Sequence, residues 1–267
     1  MSVSSSAIIC MGISAIAGFA LPLILFVYLH KKYQADLLPF FTGCGVMLVF
    51  ALILESLFHS LVFASASGRI IQENIFLYGL YGGLMAGLFE ESGRLLAFKT
   101  ILSSYQDRDI DALMYGAGHG GFEALVLLGV SMIINIVYSL QLNNGAIDSL
   151  TASLSGEALD AMMASLQALS ATPAYQFLIG IIERISAIIL QLSLSVLVWF
   201  AGKKHLYLYF IAIAIHMLVD AGAVILSGSG VPILFIEVLI ALASILSALY
   251  AERIWKRYSL KNNVSGI

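Results

Sequence analysis

Apolar runs of about 20 residues or more, the length that roughly 30 Å of hydrocarbon demands of a helix, recur along the whole chain. They fall near 7–29, 38–64, 75–102, 111–140, 174–201, 205–227 and 231–250, with polar residues gathered into short connections between them. The pattern predicts an all-α, polytopic transmembrane helix bundle of about seven spans, with residues 1–267 forming a single integral-membrane domain. One connection is long. Residues 141–173 contain no lysine or arginine, and their Leu, Ala and Met residues recur at helical spacing from about 157 to 169 before Pro173. That spacing predicts an amphipathic helix lying along the outer face.

Composition strengthens the membrane assignment. Of 267 residues, 60% are hydrophobic and 11% charged, and the mean hydropathy is +0.97, which leaves too little polar surface to cover a soluble globule. The net charge of −3 and the absence of any Lys/Arg block exclude nucleic acid as a partner. The positions of the basic residues also orient the chain. Lys31, Lys32, Lys99, Arg108, Lys203, Lys204, Arg253, Lys256, Arg257 and Lys261 lie on the side reached after odd-numbered spans, and only Arg69 lies on the other. By the positive-inside rule the N-terminus is outside and the C-terminus cytoplasmic. The first run lacks a basic stretch before it and reads as a retained span rather than a cleaved signal. Cys10 and Cys44 sit within apolar runs and read as packed thiols.

Against this background the polar residues inside spans are informative, because a charge at bilayer depth costs roughly 2.5–3.5 kcal/mol even on the lenient insertion scale. Three groups stand out: Glu90, Glu91 and Arg94 in "EESGR", His119 with Glu123 in "GHGGFE", and His216 with Asp220 in "HMLVD". Within each group, spacings of three or four place residues on one helix face. Counted from the predicted cytoplasmic ends, Glu90, His119 and His216 lie roughly 9–12 residues deep on three different helices, at about 1.5 Å per residue. Matching depth predicts one shared site. Gln191 falls at the same level, whereas Glu183 and Arg184, and Glu55 with His59, form a second layer nearer the midplane or outer face. Glu237, near the outer end of its span, is expected to snorkel or face water, and Trp199, Tyr207, Tyr209, Tyr250, Trp255 and Tyr258 to form an interfacial aromatic belt.

A carboxylate beside a second carboxylate and an arginine can be held ionised as a base near neutral pH. Glu90 can then draw a proton from a water that His119 also holds, while His216, steadied by Asp220, donates to the developing oxyanion. The reaction class is metal-independent hydrolysis of a peptide bond within the membrane, with no cofactor. Two histidines and a carboxylate are also a familiar zinc set, so His119, His216 and Glu90 are the ligands if a metal is used. A proton-coupled transporter and a non-catalytic membrane scaffold are the rival classes.

The stretches "GLFEESGRLLAFK", "YGAGHGGFEALVL", "GIIERISAI" and "HMLVD" resemble, in order and spacing, the motifs of the bacterial YhfC family over essentially the whole chain. That family is grouped with the CAAX prenyl-protease and bacteriocin-processing superfamily, alongside PrsW and the scaffold subunit of gamma-secretase. The resemblance implies a glutamic-type intramembrane peptidase of the bacterial plasma membrane acting on membrane-associated peptides or proteins. It assigns Glu90 as base, Glu91 and Arg94 as its partners, His119 as second water holder, and His216 with Asp220 as the oxyanion-stabilising pair. Glu123 joins the catalytic set, with Glu183, Arg184 and Gln191 in support. Prenyl-protein proteases of the superfamily carry EExxxR where this chain has EExxR, and relatives often carry a histidine where this chain has Gln191.

Overall fold

The structure, a computed structural model, describes residues 1–259 apart from the side chain at position 149; Lys261 of the orientation pattern lies outside the described residues. The described residues form helices and no strands. We number the helices α1 Ser5–Tyr33, α2 Leu37–Phe63, α3 Ala66–Glu73, α4 Ile75–Lys99, α5 Ile110–Asn143, α6 Ile147–Thr151, α7 Glu157–Ala171, α8 Ala174–Lys203, α9 Tyr207–Gly228 and α10 Ile233–Tyr258. Six of them, α1, α2, α5, α8, α9 and α10, are long and apolar enough to cross a bilayer. Helix α4 has 25 residues, also enough to cross, but carries Glu90, Glu91, Arg94 and Lys99. The protein is thus a multi-pass membrane protein. Ile16, Leu23 and Ile24 of α1, at 71%, 62% and 63% exposure, form the sort of surface that only lipid covers comfortably.

Two compact units divide the chain: residues 1–21 with 124–184, and residues 22–123 with 185–267. In the first, Val3, Met11, Leu142, Leu166 and Phe177 form the core. The amphipathic α7 buries Leu166 and Leu169 there. Asn143 clamps the N-terminus by accepting from the Val3 amide and donating to the Val3 carbonyl, at 2.8 and 2.9 Å.

The second unit is packed most densely around Phe98, Leu102, Tyr115, Leu197, Trp199 and Phe200. Here the structure corrects the aromatic-belt expectation for Trp199. It is fully buried and donates its indole N–H to Asp109 at 2.9 Å, because an indole can enter a core when its N–H finds an acceptor. Glu237 is buried as well, at 6% exposure, rather than facing water. It lies on the packed face of α10 with Ile236, Ser244, Ser247, Ala251 and Ile254. The thiols of Cys10 and Cys44 are free and only half-buried.

Candidate active site

Helix α4 starts where the Asn74 side chain accepts hydrogen bonds from the amides of Phe76 and Leu77, at 3.0 and 3.1 Å, a standard N-cap. Gly79, Gly83 and Gly87 then make one stripe down the helix. A methyl carbon on Gly83 would lie 2.5 Å from the Met217 carbonyl oxygen, and one on Gly87 3.0 Å from that of Ile213. Glycine spacing therefore seats α4 directly on the α9 backbone, the close approach expected of small residues at four-residue intervals. One turn further on, Glu90, Glu91 and Arg94 enter the interior with exposures of 7%, 0% and 0%.

His119 arrives by the same device. Gly118 packs against the Phe40 backbone of α2, and a carbon on Gly120 would lie 2.9 Å from Cβ of Gln191 on α8. The glycines around His119 are thus contact points for neighbouring helices. Within α2, residues Met47–Glu55 are wound as a π-helix, a wider turn found often at functional sites, and it ends on Glu55.

The partnerships cross between helices. His119 Nε2 donates to Glu90 Oε2 at 2.8 Å, and Gln191 Nε2 donates to the same oxygen at 2.9 Å. Glu90 Oε1 has no hydrogen-bond partner among the described residues, and the side chain keeps 9% exposure. Arg94 ties Glu91 to Gln191 by donating to both carbonyl-type oxygens. His216 Nδ1 donates to Glu91 Oε1 at 2.8 Å, while its Nε2 lies 3.4 Å from Asp220 Oδ2 and 3.9 Å from Glu90 Oε2.

Donor and acceptor bookkeeping distinguishes the two imidazoles. An ionised carboxylate only accepts, so His119 carries its proton on Nε2, and Nδ1, buried without a partner among the described residues, remains the bare nitrogen of a neutral ring. Both nitrogens of His216 face carboxylates, which makes it the cationic ring. The pairing expected within "GHGGFE" is replaced: His119 bonds Glu90, and half-buried Glu123 instead accepts from Gln191 at 3.4 Å. Glu183 and Arg184 belong to the first unit, where they pair with each other.

Two residues escaped sequence reading. Tyr115 stacks on His119 with ring centroids 6.0 Å apart and sits 5.9 Å from the Arg94 guanidinium carbon; its position one turn before His119 was the available signal. Asp109 accepts from Trp199, from Lys203 at 2.5 Å and from Ser259 at 2.7 Å. Nothing local marks it, since its partners are 90 to 150 residues away.

His119, His216 and Glu90 are the right donor types for a zinc ion, and His216 has the backing carboxylate that a metal-ligating imidazole ordinarily shows. Convergence is lacking. His119 has no such backing partner, the Glu90 oxygen between the rings already accepts two N–H groups, and no three His, Cys, Asp or Glu groups among the described residues could together hold an ion. The arrangement is a hydrogen-bonded network with one Glu90 oxygen open, rather than a formed metal cage.

Among known proteins, a family model described as "YhfC intramembrane metalloprotease" matches residues 17–242. The uncharacterized membrane protein YhfC of Bacillus subtilis (strain 168) is 35% identical over 260 residues, spanning 95% of this chain and 100% of that one. No solved structure matches.

Proposed function

The chain belongs to the YhfC family of intramembrane proteases, and on that premise we propose that it hydrolyses peptide bonds of membrane-associated substrates with a water activated by Glu90, which His119 holds in place. The observation that carries this reading is the asymmetry of Glu90. One oxygen is pinned by His119 and Gln191, and the other has no partner among the described residues. A pinned carboxylate with a free oxygen is oriented to take a proton.

The steps balance on these side chains. Glu90 Oε1 removes a proton from water as the water oxygen attacks the scissile carbonyl carbon. The oxyanion that forms is stabilised by the Nε2–H of His216, whose charge is held in place by Glu91 and Asp220. The proton on Glu90 passes to the amide nitrogen, the C–N bond breaks, and a carboxylic acid and an amine leave. Arg94 compensates Glu91 and Gln191 sets the angle of Glu90. Tyr115, packed against both His119 and Arg94, limits their movement.

The test is cleavage of a membrane-peptide library by the purified protein in liposomes. Glu90→Gln and His119→Gln are expected to abolish cleavage while gel filtration and helical content stay unchanged. Full activity in both variants overturns the mechanism. The family's printed description, together with the donor types of His119, His216 and Glu90, favours a zinc-dependent hydrolysis as the second reading. Loss of cleavage on chelation, restored by zinc, selects it. Glu90-dependent proton or solute uptake without cleavage selects a transporter, and neither activity a scaffold.

A further inference from the structure

Within the second unit the two ends of α4 have different surroundings. Around Lys99, the end of α4 is sealed by Ala97, Phe98, Leu102, Ala112, Tyr115 and Trp199, none more than 2% exposed. Phe98 meets Tyr115 and Trp199 edge to face, at 4.6 and 5.0 Å between ring centroids. Counted along α4, this is the shorter way out from Glu90, 9 residues to Lys99 against 16 to Asn74. It is also the blocked one.

Toward Asn74 no such cluster of buried aromatic side chains is present among the described residues. The last part of α2, Ser56–Phe63, has no buried residue, and Phe76, Leu77 and Leu80 of α4 are 59%, 42% and 44% exposed. Through this apolar surface runs a row of polar groups. Tyr81 is hydrogen-bonded to His59 Nδ1 at 2.9 Å, and His59 Nε2 to Glu55 at 3.1 Å. Glu55 lies within electrostatic reach of Asp220, His216 and Glu90. Side-chain exposure is 27% for His59 and 39% for Asp220. Carboxylates and an imidazole facing lipid would each carry the penalty that keeps such groups out of bilayers, so the row must border water. It ends on Glu90, whose second oxygen has no hydrogen-bond partner among the described residues.

We propose that water and the substrate peptide reach Glu90 from the end of the unit that carries residues 64–74, passing Tyr81, His59, Glu55 and Asp220, and not from the nearer end sealed by Phe98, Tyr115 and Trp199. By the charge pattern this is the non-cytoplasmic side, opposite to the side that depth along the helix suggests. The inference builds on the hydrolytic reading, but its test does not need turnover, so a protein that cleaves nothing still reports on the route.

Cys10 and Cys44 are replaced by Ala. Single thiols are then placed on the route (Tyr81→Cys, His59→Cys, Glu55→Cys), in the seal (Ala97→Cys, Ala112→Cys) and at the two faces (Arg69→Cys, Lys99→Cys). The full chain in sealed vesicles is treated from each side with a membrane-impermeant methanethiosulfonate. Variants that fail gel filtration are set aside, and any one route position suffices. Route thiols are expected to react from the same side as Arg69→Cys, at least about tenfold faster than the seal thiols, since reactivity follows exposure. Route thiols no faster than seal thiols, or reacting from the side of Lys99→Cys, overturn the proposal.

Discussion

Asp109 and Glu90 are both buried carboxylates of the same unit, and their surroundings differ in a way that separates structure from chemistry. Asp109 is saturated: Trp199 and Lys203 donate to Oδ1 and Ser259 to Oδ2, so it fastens the start of α5 to the ends of α8 and α10. Among the described residues Glu90 has two donors on one oxygen and none on the other. A carboxylate that only holds helices together gains by filling every acceptor site. One that must accept a proton has to keep a site open.

The contrast can be broken from either side. The largest expected effect is on turnover: Glu90→Gln keeps the fold but lowers kcat by about 10²–10⁴, the usual weight of a general base, measured by liposome cleavage. Asp109→Ala should do the reverse. It leaves Lys203 without its carboxylate and is expected to lower stability by about 3–5 kcal/mol, read in a denaturation series, with cleavage per folded molecule retained. If Asp109→Ala lost turnover without losing stability, the distinction would collapse. Gln191→Leu frees Glu90 to rotate, and a loss of about tenfold in kcat with little change in KM is expected from a misplaced reacting group; Gln191→His should recover part of it. The smallest effect expected is that of a chelator such as EDTA, under which cleavage rates stay unchanged; a fall that zinc reverses would move the reaction to the zinc-dependent reading.

Much of this was legible in the residues. All seven apolar runs are helices, and the amphipathic segment at 157–169 is Glu157–Ala171. The three polar groups are gathered in one unit, with Glu90 between His119 and His216. What misled was locality. Spacing of four residues placed His119 with Glu123, yet His119 bonds Glu90 of another helix, and His216, which does meet Asp220 at 3.4 Å, makes its shortest contact with Glu91 of that same helix. Belt-like placement of Trp199 and a water-facing Glu237 failed for the same cause: depth along a helix says nothing about which neighbour covers a given face.

Sequence by itself therefore determined the helices and the chemical types that meet in one unit, because hydrophobic length and residue type are properties of each segment alone. Tertiary structure decided the rest. Which imidazole is neutral and which cationic, which Glu90 oxygen is free, and which end of the unit is sealed all depend on glycine-lined contacts between helices far apart in the chain. No spacing within one helix can encode which side chains meet across such a contact.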